Sequence, residues 1–443
     1  MPCLCLREYG FLLRGEQAGN SLLVCGISHP LAWTFLEQLA WSHDDRHAFI
    51  RTATYNGQKA LQVTSFIGVI TTPDGTQIEI LPKTSEEGQD TSQTRKLLWR
   101  MLQAVDLLPF IETTDADLTL DRQPLIEVLI TRFLQHLTQV VRRGVRKDYT
   151  RITAEEYFLK GHLQLERQLR QPISKQHLFC IEYDVFSDNR AENRLIHAAL
   201  ILVGKWSRSD ANQRLCRELR FAFDEVPVSI NHKADFTQWR TSRDMIYYQS
   251  LLPWLRLILN QQCPFTLLDE HAGISFLFPM EVLFEKYIAR ILAQQLPVGY
   301  SLRTQVTDKF LSINPRAFML KPDMVIYRND QPEIVLDTKW KLIDADTRYN
   351  NGIHDSKAGI SQADMYQMFA YGKKYFTNGP GKLALIYPAW RKFSKPLPSF
   401  ELDTDLYLDA VPFPLDVDSS VEINALLAQR DDLTNHSKHI SVS

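Results

Sequence analysis

The feature that most constrains the fold is a pair of short apolar segments separated by a turn-forming stretch. The segments are Met324–Tyr327 and Glu333–Leu336, and Arg328–Pro332 between them supplies Asn, Asp and Pro. Apolar runs on both sides of such a stretch predict a β-hairpin. The open end of this hairpin should carry Asp323, which opens the first strand, beside Asp337 at the end of the second.

Three charged residues at that open end form a chemically specific group. Residues two apart on a strand point to the same face, so Asp337 and Lys339 should project together while Thr338 points away. Divalent cations such as Mg²⁺ are commonly held by one or two carboxylates together with phosphate and water. Asp323 and Asp337 therefore predict a metal site that acts on phosphate, and Lys339 predicts a group that orients water or stabilises charge. A solvated strand end with an incidental ion pair is the alternative, and the apolar lead-in to Asp337 argues against it.

Composition and local charge are those of an ordinary globular protein. The chain has 443 residues, of which 44% are hydrophobic and 23% charged, and its formal net charge is -2. That length predicts two or three domains. Residues 301–400 contain 15 Lys and Arg against 9 Asp and Glu, whereas residues 401–443 contain 9 acidic residues against 2 basic ones. A basic segment followed by an acidic tail fits a phosphate-facing surface beside a solvated end.

Cysteine usage and hydropathy predict a cytoplasmic protein. The 6 cysteines form no C-x-x-C pair, which is typical of reduced thiols and not of a disulfide framework or a zinc ribbon. The N-terminus lacks the pattern of a signal peptide, and no apolar stretch approaches the length of a membrane span, so we expect no membrane partner. No G-x-x-x-x-G-K-[S/T] motif occurs, and this chain should therefore bind no nucleotide through a P-loop of its own.

Local patterns divide the chain into three predicted domains and a tail. The first is rich in strand signals, such as the runs Lys59–Ile70 and Gln77–Leu81 on either side of a Pro-Asp-Gly turn. The predicted divisions are a β-rich N-terminal domain over 1–110, a mainly helical middle domain over 111–270, an α/β domain over 271–420 and an acidic polar tail over 421–443. The predicted fold class is therefore α/β.

Helical spacing and capping signals predict the main helices. Thr94 can cap a helix that runs to about Val105, and Pro124 lies near the start of a second helix. A third helix is predicted to begin at Asp188 or Asn189.

The densest basic patch is formed by Arg142, Arg143, Arg146 and Lys147. Two interpretations of this patch remain open. Cations suit the C-terminal end of a helix dipole, where they would form a solvated surface. They also suit contact with phosphate groups.

Pro322-Asp323 together with Asp337-Thr338-Lys339 resembles the signature of the PD-(D/E)XK nuclease superfamily. The resemblance implies a nuclease domain with a mixed sheet flanked by helices. The amphipathic helix Met280–Ile288 matches this arrangement, because it can point Glu285, or alternatively Glu281, at the metal.

A second helix resembles the RecB-like branch of that superfamily. Gln367 and Tyr371 match its Gln-x-x-x-Tyr motif and lie one helical turn apart on one face. They are expected to contact the DNA backbone or to position the catalytic groups. For this pair taken alone, a half-buried amphipathic helix is the alternative.

Short motifs spread over most of residues 75–390 carry a further resemblance. They are Ile80–Lys83, Arg142–Gly144, Lys160-Gly161, Asn189–Arg194, Asp337–Lys339, Tyr366-Gln367 and Tyr371. These motifs resemble the McrC family, the nuclease subunits of McrBC modification-dependent restriction systems.

The McrC resemblance implies a DNA endonuclease that uses Mg²⁺, or Mn²⁺ in its place. The implied catalytic residues are Asp323, Asp337, Lys339, Glu285, Gln367 and Tyr371; the implied metal ligands are Asp323, Asp337 and Glu285; and the implied DNA contacts are the basic patch and Lys341. A separate AAA+ GTPase of the McrB type is implied as partner, which recognises modified, methylated DNA and on which residues 1–110 dock.

Two other functions stay open at this point. One is a stand-alone RecB-like or repair nuclease that needs no motor. The other is a non-catalytic adaptor that stimulates an AAA+ ring, and the intact Asp323, Asp337 and Lys339 argue against it.

Overall fold

A computed structural model of the chain describes residues 3–15, 21–41, 49–84, 91–104, 124–241, 245–259, 274–345, 358–377 and 380–415. The chain divides into two compact units. One contains residues 1–109 and 277–443, and the other contains residues 110–276. No helix among the described residues has both the length and the apolar character that crossing a membrane requires.

Two four-stranded sheets form the N-terminal part of the first unit. Its elements are β1 (Cys3–Arg7), β2 (Phe11–Arg14), β3 (Val24–Ile27), α1 (Pro30–Trp41), β4 (Ile50–Tyr55), β5 (Gln58–Val63), β6 (Phe66–Thr71), β7 (Gln77–Leu81) and α2 (Thr91–Ala104). One sheet has the strand order β3-β2-β5-β4. The other has the order β1-β7-β6-β11, in which β11 (Ile274–Pro279) comes from the second half of the chain. The strands predicted on either side of the Pro-Asp-Gly turn are present as the antiparallel pair β6–β7, and the earlier part of the run Lys59–Ile70 forms β5. Burial on both faces of β6 and β7 explains their dense apolar sequence.

The second unit is mainly helical, as predicted, but it also contains a sheet. Its elements are α3 (Leu125–Arg143), β8 (Asp148–Glu156), β9 (His162–Leu163), α4 (Leu165–Leu169), a 3₁₀ turn (Ile173–Lys175), β10 (Phe179–Ser187), α5 (Ala191–Trp206), α6 (Asp210–Phe221), α7 (His232–Thr237), α8 (Ile246–Gln249) and α9 (Leu252–Leu259). The sheet has the order β8-β10-β9. It was not predicted because most side chains of β8 are exposed, so its sequence lacks the apolar alternation of a half-buried strand.

A six-stranded mixed sheet forms the C-terminal part of the first unit. The elements after β11 are α10 (Met280–Gln295), β12 (Tyr300–Thr304), β13 (Phe310–Ser312), β14 (Ala317–Met319), β15 (Met324–Arg328), β16 (Gln331–Thr338), α11 (Gln362–Tyr375), β17 (Gly381–Pro388), β18 (Phe400–Asp403) and β19 (Leu406–Phe413). The sheet order is β12-β15-β16-β17-β19-β18. The pairs β16–β17 and β17–β19 are parallel, and the other pairs are antiparallel. The predicted α/β class is confirmed.

Two helices pack against this sheet and complete its core. Helix α11 contributes the buried residues Met368, Tyr371 and Tyr375 to the cluster that contains Val335 of β16. Helix α10 contributes Phe284, whose ring lies 5.1 Å from that of Trp340.

Residues 1–109 and 277–443 belong to one compact unit, whereas the sequence predicts separate domains over 1–110 and 271–420. Strand β11 joins the N-terminal sheet beside β6, and Trp340 donates a hydrogen bond to the buried Glu8. These pairings join residues that are far apart in sequence, so local patterns carry no signal for them. The predicted acidic tail, residues 421–443, lies outside the described residues.

Candidate active site

The β15–β16 hairpin brings two candidate carboxylates to one end of the main sheet. The pairing of Met324 with Leu336 places Asp323 opposite Asp337 at the open end, so the predicted hairpin is confirmed. Asp323 Oδ2 accepts two hydrogen bonds from Thr338, one from the backbone N–H at 2.8 Å and one from the hydroxyl at 2.7 Å. These contacts hold the Asp323 carboxylate in one orientation.

The sequence predicts that Thr338 points away from the face that Asp337 and Lys339 share. Its hydroxyl donates a hydrogen bond to Asp323, a contact that strand alternation does not predict. Strand alternation relates residues within one strand, whereas Asp323 precedes the first paired residue of β15, Met324. The direction of the Asp323 side chain is therefore not set by the alternation within β15, and its carboxylate reaches Thr338. The contact with Thr338 holds this carboxylate in place.

Asp337 and Lys339 form a close ion pair at the end of β16. Lys339 Nζ lies 2.5 Å from Asp337 Oδ2, and only 2% of the Asp337 side chain is exposed. Despite this contact, Asp337 Oδ2 has no well-aligned hydrogen bond. Burial raises the pKa of Asp337 well above its ordinary value, and the charge of Asp323 raises it further. Two carboxylates beside one ammonium leave negative charge that a cation would compensate.

Gln367 and Tyr371 connect Lys339 to the segment before Asp323. Lys339 Nζ donates to Gln367 Oε1 at 3.2 Å, and Gln367 Nε2 donates to Tyr371 Oη at 2.8 Å. Tyr371 Oη in turn donates to the Lys321 carbonyl oxygen at 3.0 Å. Burial raises the pKa of Tyr371 to about 12, so its hydroxyl stays protonated and able to donate. The structure thus brings this pair to Lys339.

Glu285, and not Glu281, lies on the Asp323 side of helix α10. Burial raises the pKa of Glu285, and the Asp323 charge raises it further. Gln305, which sequence patterns did not single out, donates a hydrogen bond from Nε2 to Glu285 Oε1. Among the described residues, no group of three or more His, Cys, Asp or Glu side chains is arranged to hold a metal ion. The three-ligand set of Asp323, Asp337 and Glu285 stays a prediction.

Asp364 is a third acidic residue near the lysines, and sequence patterns did not single it out. Its Oδ2 accepts a hydrogen bond from Lys341 Nζ at 2.9 Å, and its Oδ1 lies 4.0 Å from Lys339 Nζ. The only sequence signal for the position of Asp364 is Ser361, whose hydroxyl caps helix α11 by accepting a hydrogen bond from the Asp364 N–H. Lys341, predicted to contact DNA, is thus engaged with a carboxylate although nearly half of its side chain is exposed.

A buried cluster from the N-terminal sheet holds the residue that follows Lys339. Trp340 Nε1 donates to both carboxylate oxygens of Glu8, at 2.9 and 3.0 Å. The Lys83 N–H donates to Glu8 at 2.8 Å, and Lys83 Nζ donates to the Trp340 carbonyl oxygen at 2.6 Å. Burial raises the pKa of Glu8 to about 7. Lys83 belongs to the Ile80–Lys83 motif, which was the one sequence signal for this contact.

The basic patch lies in the second unit, at and after the end of α3. Arg142 and Arg143 are exposed in the last turn of that helix. The Arg146 N–H donates to Tyr248 Oη at 3.0 Å, and Lys147 Nζ lies 3.9 Å from Asp188 Oδ2. Both interpretations of the patch, helix-end cations and phosphate contacts, fit these positions.

Comparisons with known proteins place the chain in a family. The profile of the McrBC 5-methylcytosine restriction system component family matches residues 61–388. No curated protein sequence matches the chain. A chain from a half-complex of Thermococcus gammatolerans McrB AAA+ hexamers with bound McrC is 19% identical with a TM-score of 0.64, covering 96% of this chain and 100% of its own length. A chain from the Thermococcus gammatolerans McrBC complex is 22% identical with a TM-score of 0.46, covering 67% of this chain and 88% of its own.

The fold and the site define a mixed α/β protein with a carboxylate–lysine centre at the end of its main sheet. The family match covers well over half of the chain. The chain belongs to the McrBC 5-methylcytosine restriction system component family, and the resemblance to McrC proteins is confirmed.

Proposed function

We propose that this chain is the Mg²⁺-dependent DNA endonuclease subunit of a McrBC-type restriction system, with a PD-(D/E)XK nuclease domain. The observation that carries the proposal is the meeting of Asp323, Asp337 and Lys339 at the open end of the β15–β16 hairpin. The mixed sheet between α10 and α11 supports the nuclease fold. The family description points to DNA that contains 5-methylcytosine as the substrate.

The residues at this site suit a hard divalent cation. Mg²⁺ needs only one or two protein carboxylates when water and phosphate complete its shell. Asp323 and Asp337 would hold it, because both lie at the open end of the hairpin and the charge of Asp323 raises the pKa of Asp337, a repulsion that a bound cation would relieve. When bound, the cation would polarise the scissile phosphate and lower the pKa of a water.

The remaining side chains orient charge at this centre. Lys339 places an ammonium where negative charge develops on the phosphate oxygens during cleavage. Its contact with Gln367, which Tyr371 holds, restricts a flexible side chain to one direction. Glu285, held by Gln305, adds negative charge on the Asp323 side of the centre.

The second part of the proposal is a separate AAA+ GTPase of the McrB type. In the similar Thermococcus gammatolerans assembly, McrB AAA+ hexamers carry bound McrC. This sequence contains no P-loop motif, so translocation along DNA must be driven by another chain. We place the complex in the cytoplasm, where its DNA substrate would be found.

The surface that best suits such a partner lies around the β8–β10 sheet. The exposed apolar side chains there are Tyr149, Tyr157, Phe158, Leu159, Leu165, Leu169, Ile173 and Phe186. Phe158, Leu169 and Ile173 are each more than 80% exposed. A concentration of exposed apolar side chains marks an interaction surface. Among the described residues of segment 1–110, the exposed large apolar side chains are Tyr9, Leu31 and Trp41. We therefore place docking in the second unit and not in residues 1–110.

A cleavage assay with matched variants tests the nuclease assignment. Asp323→Ala, Asp337→Ala and Lys339→Ala should each abolish cleavage of methylated DNA in the presence of Mg²⁺, GTP and the AAA+ partner. Asp330→Ala is the control, because Asp330 lies in the turn of the same hairpin and is 86% exposed. Wild-type cleavage by any one of the three variants would refute the assignment. Strong cleavage by the chain alone, without a partner, would support a stand-alone nuclease.

A further inference from the structure

A short hairpin next to the candidate site exposes several apolar side chains. Strands β13 and β14 pair antiparallel, with Phe310 opposite Met319 and Ser312 opposite Ala317. The exposed apolar residues of this hairpin are Leu311 (49%), Ile313 (83%), Phe318 (76%) and Met319 (53%). Phe318 also adopts φ 57°, a conformation that bulky residues rarely take. Residues in such conformations are concentrated at functional sites.

Residues on both sides of the β13–β14 hairpin form hydrogen bonds with residues of the candidate active site. Before the hairpin, the Gln305 N–H donates to the Asp323 carbonyl oxygen at 2.9 Å. After it, the Lys321 carbonyl oxygen accepts the hydrogen bond from Tyr371 Oη at 3.0 Å. Phe318 and Asp323 are five positions apart in the sequence, so an extended chain limits their Cα separation to about 18 Å. That distance corresponds to about five base-pair steps of a DNA duplex.

The hairpin carries positive charge and no carboxylate. Residues 309–322 contain Lys309, Arg316 and Lys321, and no Asp or Glu. Among the described residues, Lys309 and Arg316 form no ion pair with a carboxylate, whereas Lys321 interacts electrostatically with Glu285. The Arg316 guanidinium lies instead 4.1 Å from the centre of the Phe310 ring. The charges of Lys309 and Arg316 are therefore available to an anionic ligand.

We propose that the β13–β14 hairpin inserts apolar side chains between base pairs of duplex DNA beside the cleavage centre. This inference rests on the nuclease function proposed above. Proteins that kink DNA insert apolar side chains at a base step, while neighbouring cations contact phosphate. Ile313, Phe318 and Met319 supply the apolar edge, and the two cations without an ion pair supply the phosphate contacts. Inserted there, the hairpin would distort the duplex within a few base pairs of Asp323.

The pattern of charge favours DNA over a protein as the occupant. A protein partner would cover the apolar side chains, but it would not explain why residues 309–322 contain three cations and no acidic residue. Duplex DNA accounts for both features, because its phosphates surround the base step into which an apolar side chain inserts.

The test is DNA binding by the full chain to a duplex in which 2-aminopurine replaces every adenine of one strand. The measurements are made on the Lys339→Ala background so that the duplex stays intact. Insertion should unstack a base and raise 2-aminopurine fluorescence. Phe318→Ser should remove this rise and weaken binding about tenfold, as expected from the loss of one aromatic–base contact. Phe318→Leu, which keeps an apolar side chain, should retain most of both signals.

Val298→Ser serves as the matched control, because Val298 is a fully exposed apolar residue of the same unit outside the hairpin. It should bind and fluoresce like the unsubstituted protein. Unchanged fluorescence and affinity for Phe318→Ser, with cleavage intact in the chain that retains Lys339, would overturn the insertion model while leaving the nuclease assignment standing. Normal DNA binding by Phe318→Ser together with failure to stimulate the AAA+ partner would show instead that a protein covers the hairpin. A chain that neither binds nor cuts DNA would refute the proposed function and this inference with it.

Discussion

At the scale of single residues, the candidate site contains side chains that hold its charged groups in place. Thr338 donates two hydrogen bonds to Asp323, and the Trp340 indole N–H is shared between the two carboxylate oxygens of Glu8. The partners of each contact are distant in sequence. A change at either position should therefore alter function or stability through a residue that is not itself catalytic.

Thr338→Val should lower cleavage about tenfold, because a hydrogen bond to a charged carboxylate contributes roughly 1.5–3 kcal/mol and its loss leaves Asp323 less firmly oriented. Thr338→Ser keeps the hydroxyl and should cleave nearly as well as wild type. Cleavage rates and thermal unfolding of the two variants provide the measurement. Equal rates for the valine and serine variants would show that the hydroxyl does not position Asp323.

Glu8→Gln should change how stability depends on pH. Burial raises the folded-state pKa of Glu8 from 4.5 to about 7, so the protonated form is favoured in the fold. The contribution of this group to stability is complete below pH 4.5 and is lost as pH rises through 7. The loss is on the order of 3 kcal/mol, and it is absent in the glutamine variant.

The unfolding temperature of Glu8→Gln relative to wild type should therefore rise between pH 5 and pH 8, as thermal unfolding at several pH values can measure. Glu166→Gln, at an exposed position of the second unit, is the control and should show no such trend. If the difference in unfolding temperature between Glu8→Gln and wild type does not change with pH, Glu8 titrates alike in the folded and the unfolded chain.

At the scale of secondary-structure elements, helix α11 both packs against the sheet and contacts the candidate active site. Met368, Tyr371 and Tyr375 are buried against the sheet, while Gln367 beside them reaches Lys339. A helix with this dual role is half-buried, which is why its sequence alone is equally consistent with simple packing.

Gln367→Ala and Tyr371→Phe should each reduce cleavage by about tenfold, because each removes two of the hydrogen bonds that link Lys339 to the Lys321 carbonyl and so frees Lys339 to move. The accompanying loss of stability, about 1 kcal/mol for each net hydrogen bond, should leave the protein folded. Tyr366→Phe is the control on the same helix, since its hydroxyl contacts only the exposed Gln362 side chain in the described structure. Parallel measurement of kcat/KM and unfolding temperature separates the two effects. Losses of activity and stability in equal proportion would favour packing as the only role.

At the scale of the whole molecule, residues 1–110 are part of the unit that carries the candidate active site. Removing them would take away Glu8 and Lys83 and leave Trp340 without its polar partners. Such a truncation should therefore destroy cleavage even if docking on a motor occurs elsewhere. Point variants on exposed surfaces are the cleaner test of partner binding.

Phe158→Ser and Leu169→Ser should sharply reduce the stimulation of GTP hydrolysis by the AAA+ partner, because apolar side chains at the centre of an interface contribute most of its binding energy. Asp337→Ala should leave this stimulation unchanged, since it alters only the nuclease centre. Ile230→Ser is the control for general loss of an exposed apolar residue in the same unit. A GTPase assay on the purified pair measures all four, and full stimulation by the double serine variant would move the docking surface elsewhere.

Features that depend on local chemistry could be predicted from the amino-acid sequence alone. The hairpin and the charged residues at its open end follow from apolar runs, a turn and strand periodicity, and α3 follows from helical spacing after Pro124. The tertiary structure decided which distant residues complete the site. Glu8 and Trp340 are 332 positions apart in the sequence, and Gln305, which follows β12, forms a hydrogen bond with Glu285 of helix α10. Such contacts arise when separate elements pack around one core, and no local pattern encodes them. For the same reason the hydrogen bond from Thr338 to Asp323 could not be predicted, because Asp323 lies outside the strand whose alternation was used.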